Sequence, residues 1–478
     1  MRQLRLLALL APALLLPAAC ENSSSSPAAP FTFEAGPGFE AGPPAEAGPL
    51  EDAGIAVDAA DTAPPAPKGV TVTVIDGLTP KADVRVISHD ATGAVIGDAK
   101  TDATGKLTIA VAPSTVTVLT TGFSAPKAVT FLAVTDGDNL VVRIPLNIEE
   151  SNVGSYSFTF TAGVQGQSVN AQAFVNGPLC TNTTADTSMP LLVGVVPSCL
   201  SAANAVLARG TDSGFNIDGF TFKKSVAPPV ANTTSAVVLP AWTTPGTTTL
   251  TATNTPGVQA SISGSLYMIA NGASFPAQSA SGTINSMAGQ GFWTATGFAD
   301  AYQSWVRSFD DVTDQVVTSI IRRESTTAPA IATLAAVDFT NALPYVTAAA
   351  VDTTTVARPI VTLTSDKPLT AADAGLVVLS WTTATQATGT WTFVVPASAA
   401  ATFKAPALPA DATAFTPIGG VKADSAAFFE ASQIPGYTEA KTLPVSPGVS
   451  FALLAGSQAL PTNGTVRLTT WAPSLPVR

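Results

Sequence analysis

A chain of 478 residues with 33 acidic against 22 basic side chains has a formal net charge of −11 and lacks the Lys and Arg surplus that phosphate contacts require, which excludes nucleic acid as a partner. Its single histidine leaves no means of assembling a zinc hydrolase site and at most one candidate base for a Ser-His-Asp or Cys-His arrangement. Charged residues are only 12% of the chain, low for a cytoplasmic enzyme and common in exported β-proteins with threonine-lined strands.

The chain opens with Arg2 and Arg5, then an apolar run from Leu6 to Leu16 interrupted by Pro12. That is the anatomy of a secretory signal, shorter than the roughly 20 residues of a membrane span. The following Leu16-Pro17-Ala18-Ala19-Cys20 resembles a bacterial lipoprotein box, in which the cysteine after small residues is acylated and becomes the mature N-terminus. The resemblance implies lipidation of Cys20, export, a location in the cell envelope at the outer membrane or cell surface, and a membrane partner reached through the lipid. An ordinary secretory signal cut near Ala19 is the alternative. Residues 21–68 carry nine prolines and eight acidic residues, with Lys68 the one basic residue, and Glu-Ala-Gly-Pro recurs from Glu34, Glu40 and Glu46. So few large apolar residues cannot offset the entropy of ordering, and a disordered acidic spacer is expected.

Residues 69–147 carry the clearest strand signal. Val70, Val72 and Val74 alternate with threonines, and Leu107, Ile109 and Val111 repeat the pattern. Turn chemistry separates the runs at Asp76-Gly77, Asp90-Ala91-Thr92-Gly93, Asp102-Ala103-Thr104-Gly105 and Asp136-Gly137-Asp138-Asn139. The stretches Val72-Thr73-Val74-Ile75-Asp76, Ala82-Asp83-Val84-Arg85-Val86 and Thr101-Asp102-Ala103-Thr104-Gly105-Lys106-Leu107 resemble the carboxypeptidase regulatory-like, or transthyretin-like, modules of secreted proteins. The resemblance implies a β-sandwich without catalytic duty, expected here to fold alone.

Further strands are expected over 148–325, among them Ser155–Thr161, Ser168–Val175, Leu191–Val196, Gly214–Phe222, Thr234–Leu239, Val258–Met268 and Gly291–Thr296. Cys180 and Cys199 remain once Cys20 is acylated, and in an oxidising compartment the simplest arrangement pairs them; two free buried thiols are the alternative. Between Asp300 and Glu324, Tyr302, Trp305, Phe309, Val312, Val316 and Ile320 recur at spacings of three and four, which predicts an amphipathic helix over 300–324. A hairpin turning at Asp310-Asp311 is the alternative, because Val316-Val317 and Ile320-Ile321 are β-formers. Residues 326–478 form a last β-region, with strands expected at Ala332–Phe339, Pro359–Thr364, Leu376–Thr382, Gly389–Val395, Ala426–Glu430, Val449–Leu454 and Thr465–Trp471. The fold class is therefore mainly β: tandem Ig-like or transthyretin-like sandwich modules after a spacer, in units 69–147, 148–325 and 326–478, with one helix at most.

Little chemistry is on offer. His89 is expected at the surface, at a strand end, and there is no Gly-x-Ser-x-Gly elbow, phosphate-binding loop or dinucleotide fingerprint. Asp136, Asp138 and Asn139 offer Ca²⁺ too few oxygens from so short a loop, and no metal or cofactor is expected. Trp242, Trp293, Trp381, Trp391 and Trp471 lie in strand-like runs, where core packing is expected over a sugar-stacking platform. These features point to a non-catalytic cell-envelope lipoprotein presenting β-sandwich modules for binding an envelope protein or glycan, or for structural roles. The alternative is a carboxylate-dependent enzyme acting on polysaccharide, with its acids drawn from Asp310, Asp311, Asp314 and Glu324.

Overall fold

The computed structural model describes residues 68–76, 79–122, 125–144, 152–161, 170–178, 180–184, 186–213, 216–255, 261–277, 290–309, 316–325, 334–382, 388–397, 402–446 and 463–473. The protein is mainly β, built from several packed sheets. Among the described residues the one α-helix is the single turn Tyr437–Ala440.

The alternation read in the sequence is the alternation of burial. In strand Val70–Asp76 the residues Val70, Val72 and Val74 are fully buried, with half-buried residues between them. This strand pairs with Thr79–Pro80 and Lys106–Ile109 antiparallel and with Asn139–Ile144 parallel. The sheet packs across a core of Val86, Val116, Val118, Val129 and Phe131, which come from a second sheet. Turn chemistry joins the strands as expected. Asp90 and Asp102 each accept from the amide and hydroxyl of the threonine two residues on, while Gly93 and Gly105 take φ of 76° and 71°. A left-handed backbone of that kind is where glycine is favoured over any residue with a Cβ.

The second sheet is the largest feature of the molecule. Twelve strands run in the order Ala273–Pro276, Ser261–Ala270, Ala301–Phe309, Val316–Ser325, Thr465–Trp471, Lys422–Ala431, Ala374–Thr382, Thr388–Val395, Ala125–Leu132, Thr115–Gly122, Arg85–His89 and Val95–Lys100. Every neighbouring pair is antiparallel except Ala125–Leu132 with Thr388–Val395, where Thr390 to Val394 run parallel to Lys127 to Phe131. The sheet passes through all three expected units without a break. Strand Val316–Ser325 pairs with Thr465–Trp471, so continuous pairing crosses residue 325 as well. The core beneath residues 70–144 also contains Ile321, Leu376, Val394, Phe429 and Leu468. The unit expected to fold alone thus shares both a sheet and a core with the C-terminal region.

The helix expected over 300–324 is instead a hairpin of Ala301–Phe309 and Val316–Ser325, with Trp305 opposite Ile321 and Val306 opposite Ile320. The physical reason lies in the two faces. Ile320 and Ile321 are both buried, one in a core with Tyr302 and Val306, the other in the core holding Leu468 and Phe429. A strand covered on both sides loses its period of two, and the apolar positions left over fell by chance at helical spacing. The expected strand Val449–Leu454 lies outside the described residues. Within the expected Ala332–Phe339 the described strand is Val337–Asp338, and Asn204–Thr211 and Val346–Asp352 are strands with no counterpart among the expected segments.

Residues 152–243 form another pair of packed sheets. One has the order Cys180–Thr184, Asn170–Val175, Asn204–Thr211, Ile217–Val226; the other has Leu191–Val195, Gly154–Thr161, Thr234–Ala241. Tyr156, Phe158, Phe160, Val193, Leu239 and Trp242 fill the space between.

Candidate functional site

Cys20 lies outside the described residues, as do Asp310, Asp311 and Asp314. Of the four candidate acids only Glu324 is placed. Its carboxylate pairs with Arg322 on the same strand and accepts the Ala335 amide at 3.4 Å. Arg322 donates in turn to the carbonyls of Ala335 and Ala336. Glu324 is therefore part of a tie between its strand and segment 334–337.

Cys180 and Cys199 are bonded, with their Cα atoms 6.2 Å apart. Cys180 opens a strand of one sheet. Cys199 closes a 3-10 turn, Pro197–Cys199, that follows a strand of the facing sheet, so the bond clamps the sandwich at one end. Both residues are buried. Beside them the Asn176 side chain donates to the Cys199 carbonyl at 2.7 Å and accepts the Ala205 amide at 2.7 Å, while Asn204 donates to the Tyr156 hydroxyl at 2.8 Å. The Asn176-Gly177 pair is a turn signal, and nothing in it points to a side-chain role beside the disulfide.

The tryptophans divide. Trp381 and Trp391 are buried edge-to-face against each other, and Trp242 stacks on Phe160 at 5.2 Å between centroids. Trp293 is 38% exposed. Trp305 lies under the Arg307 guanidinium, 4.4 Å from it. No row of exposed indoles forms among the described residues.

His89 is not at the surface. It is fully buried because residues 343–365 and 402–415 fold over this face of the large sheet, bringing Leu343, Val361, Leu363 and Phe403 into one core with Ile87, Leu119 and Ala128. Its Nε2 lies 3.0 Å from Thr117 Oγ1, which lies 2.9 Å from Thr130 Oγ1, which accepts the Trp391 indole N–H at 2.7 Å. All four residues are fully buried. The indole N–H donates to Thr130, while each hydroxyl can donate or accept, so the chain reaches Nε2 in either direction according to the tautomer of His89. Nδ1 is buried and has no hydrogen-bond partner. Burial, and secondarily the charge of Arg358, push its pKa down to about 4.

Both carboxylates of the loop Asp136-Gly137-Asp138-Asn139 are engaged by other groups of the protein. Asp136 accepts the amides of Lys68 and Gly69 at 3.0 and 2.7 Å. Asp138 is buried and paired with Lys441, a residue to which no sequence signal pointed. The two are 303 residues apart, and only the tertiary fold joins them. Among the described residues no group of three or more His, Cys, Asp or Glu side chains has metal-binding spacing. No described helix is long and apolar enough to cross a membrane.

The fold thus defines a mainly β protein of packed sheets, clamped by one buried disulfide. No family model and no curated protein matches the chain. A solved structure to which it is similar is that of the Bacillus anthracis TIE protein, at 10% identity and a TM-score of 0.14, with the alignment spanning 57% of this chain and 50% of that one. A likeness at that score defines neither fold nor role.

Proposed function

We propose that this chain is a non-catalytic cell-envelope lipoprotein, held at the membrane by an acyl group on Cys20 and carrying its β-body beyond the spacer 21–68 to bind an envelope protein or a glycan, or to serve a structural role. The observation that carries the reading is the buried Cys180–Cys199 bond, because disulfides form and persist mainly in oxidising, extracytoplasmic settings. The commitment of Glu324 to Arg322 supports this reading over an enzyme acting on polysaccharide, since a paired carboxylate tied to segment 334–337 is poorly placed as a free acid or nucleophile.

Metabolic labelling with a palmitate analogue tests the anchor. The wild-type chain is expected to take up label and fractionate with membranes, and Cys20→Ala to do neither. Equal label in the variant removes the tether. A glycan array and a pull-down with envelope components test the binding role. Retention of a defined glycan or envelope protein by the folded body supports it, and turnover of a retained polysaccharide would transfer the reading to the enzyme.

A further inference from the structure

The loop after strand Ala125–Leu132 and the helix Tyr437–Ala440 meet at a charge pair shut away from solvent. The side chains of Asp138 and Lys441 are each 1% exposed, and Lys441 Nζ contacts Asp138 Oδ2. The surroundings are apolar: Val134, Leu140, Val142, Ala440 and Val445 all belong to the core at this point. An ammonium offers three N–H donors, but its setting serves it poorly. Apart from Asp138, Nζ reaches the Ala133 carbonyl oxygen at 3.5 Å and faces the Tyr437 ring, 4.8 Å from its centroid. Oδ2 of Asp138 also accepts the Thr135 amide at 2.7 Å. Tyr437 is held in place by its hydroxyl, which is 2.7 Å from the Leu132 carbonyl oxygen and 2.9 Å from that of Val394.

We propose that Lys441 and Asp138 condense to an intramolecular isopeptide bond joining the N-terminal and C-terminal parts of the sheet. A pair of ions in a dry core is held against a large desolvation penalty, which moving one proton from the ammonium to the carboxylate relieves. That transfer leaves a neutral amine beside a carboxylic acid, the reactive forms of both groups. The Nζ lone pair attacks Cγ, a C–N bond forms, and the C–O bond to the protonated oxygen breaks. That oxygen leaves as water with a second proton from nitrogen, so one ammonium and one carboxylate become one amide and one water. The fold supplies proximity by holding the two groups in contact, which replaces a bimolecular encounter with an internal one. The product suits the site better than the ions do: a secondary amide keeps one N–H in place of the ammonium's three, and the Ala133 carbonyl stands beside Nζ to accept it. Asp136, the other acid of the loop, is engaged by the Lys68 and Gly69 amides and does not compete.

Tryptic mapping of the folded full-length chain reads the bond directly. Trypsin cannot cut after an acylated lysine, so the expected product is peptide 128–143 joined to peptide 423–467, lighter than their sum by one water. Lys441→Arg keeps the charge but cannot condense, and is expected to release 128–143 alone at full mass; Asp138→Ala is expected to release 423–441, cut after Lys441. Boiled wild-type chain should also run ahead of Lys441→Arg in a denaturing gel. Peptides 128–143 and 423–441 recovered separately at full mass from folded wild type would overturn the proposal. So would loss of water confined to 128–143, which is cyclisation at Asp136-Gly137 or Asp138-Asn139 and would persist in Lys441→Arg.

Discussion

His89 shows how far one side chain's state depends on others. Neutral, it joins the buried chain of Thr117, Thr130 and Trp391 through Nε2; protonated, both ring nitrogens become donors, and Nδ1 has no partner in its buried setting. Its folded pKa of about 4 lies below the ordinary 6.5, so between those values the unfolded chain binds the extra proton. Stability from this residue is therefore complete above about pH 6.5 and is lost as pH falls towards 4, by ~3 kcal/mol at most. Urea unfolding at pH 7 and at pH 4.5 should show wild type losing more stability than His89→Gln, whose amide can still bond Thr117 but does not titrate. Equal losses in the two proteins would mean that the imidazole charges freely in the folded state.

At the scale of elements, strand Ala374–Thr382 is enclosed on both faces, with eight successive buried residues. Its pairing with Thr388–Val395 sets Gly389 opposite Trp381, and a Cβ at Gly389 would overlap the indole. The absence of a side chain there is what lets Trp381 lie against the sheet. Gly389→Ala is expected to destabilise by about 1–3 kcal/mol through overpacking. Gly419→Ala, where a Cβ meets nothing within 4 Å, is expected to stay within about 0.5 kcal/mol of wild type. Denaturant midpoints of the two variants compare them in one assay, and a neutral Gly389→Ala would show that the indole has room to move.

For the whole molecule, the parallel pairing of Ala125–Leu132 with Thr388–Val395 is the seam. Phe393 sits there, fully buried, stacked on Trp391 and packed with Phe403. Phe393→Ala is expected to cost about 3–5 kcal/mol. Because the core is shared, amide-exchange protection should fall together in Thr115–Gly122, on one side of the seam, and in Lys422–Ala431, on the other. Unchanged protection in Thr115–Gly122 beside a loss in Lys422–Ala431 would identify residues 69–147 as an autonomous unit after all.

What the sequence determined by itself is local. The turns at Asp90 and Asp102 follow from side chains that bond to backbone two residues away. The valine alternation of 70–74 follows from a strand with one buried face, and the pairing of Cys180 with Cys199 from the small number of thiols to be matched. These signals need only neighbours in the chain or simple arithmetic. The tertiary structure decided whatever depends on which surfaces meet. Residues 343–365 and 402–415 covered His89 and turned an expected surface residue into a buried neutral base; packing on both faces made Ala301–Phe309 and Val316–Ser325 a hairpin. Lys441 and Asp138 were brought together across 303 residues, a contact to which no periodicity or motif points, because sheet pairing over such distances is selected by the burial of whole faces and leaves no local mark on either residue.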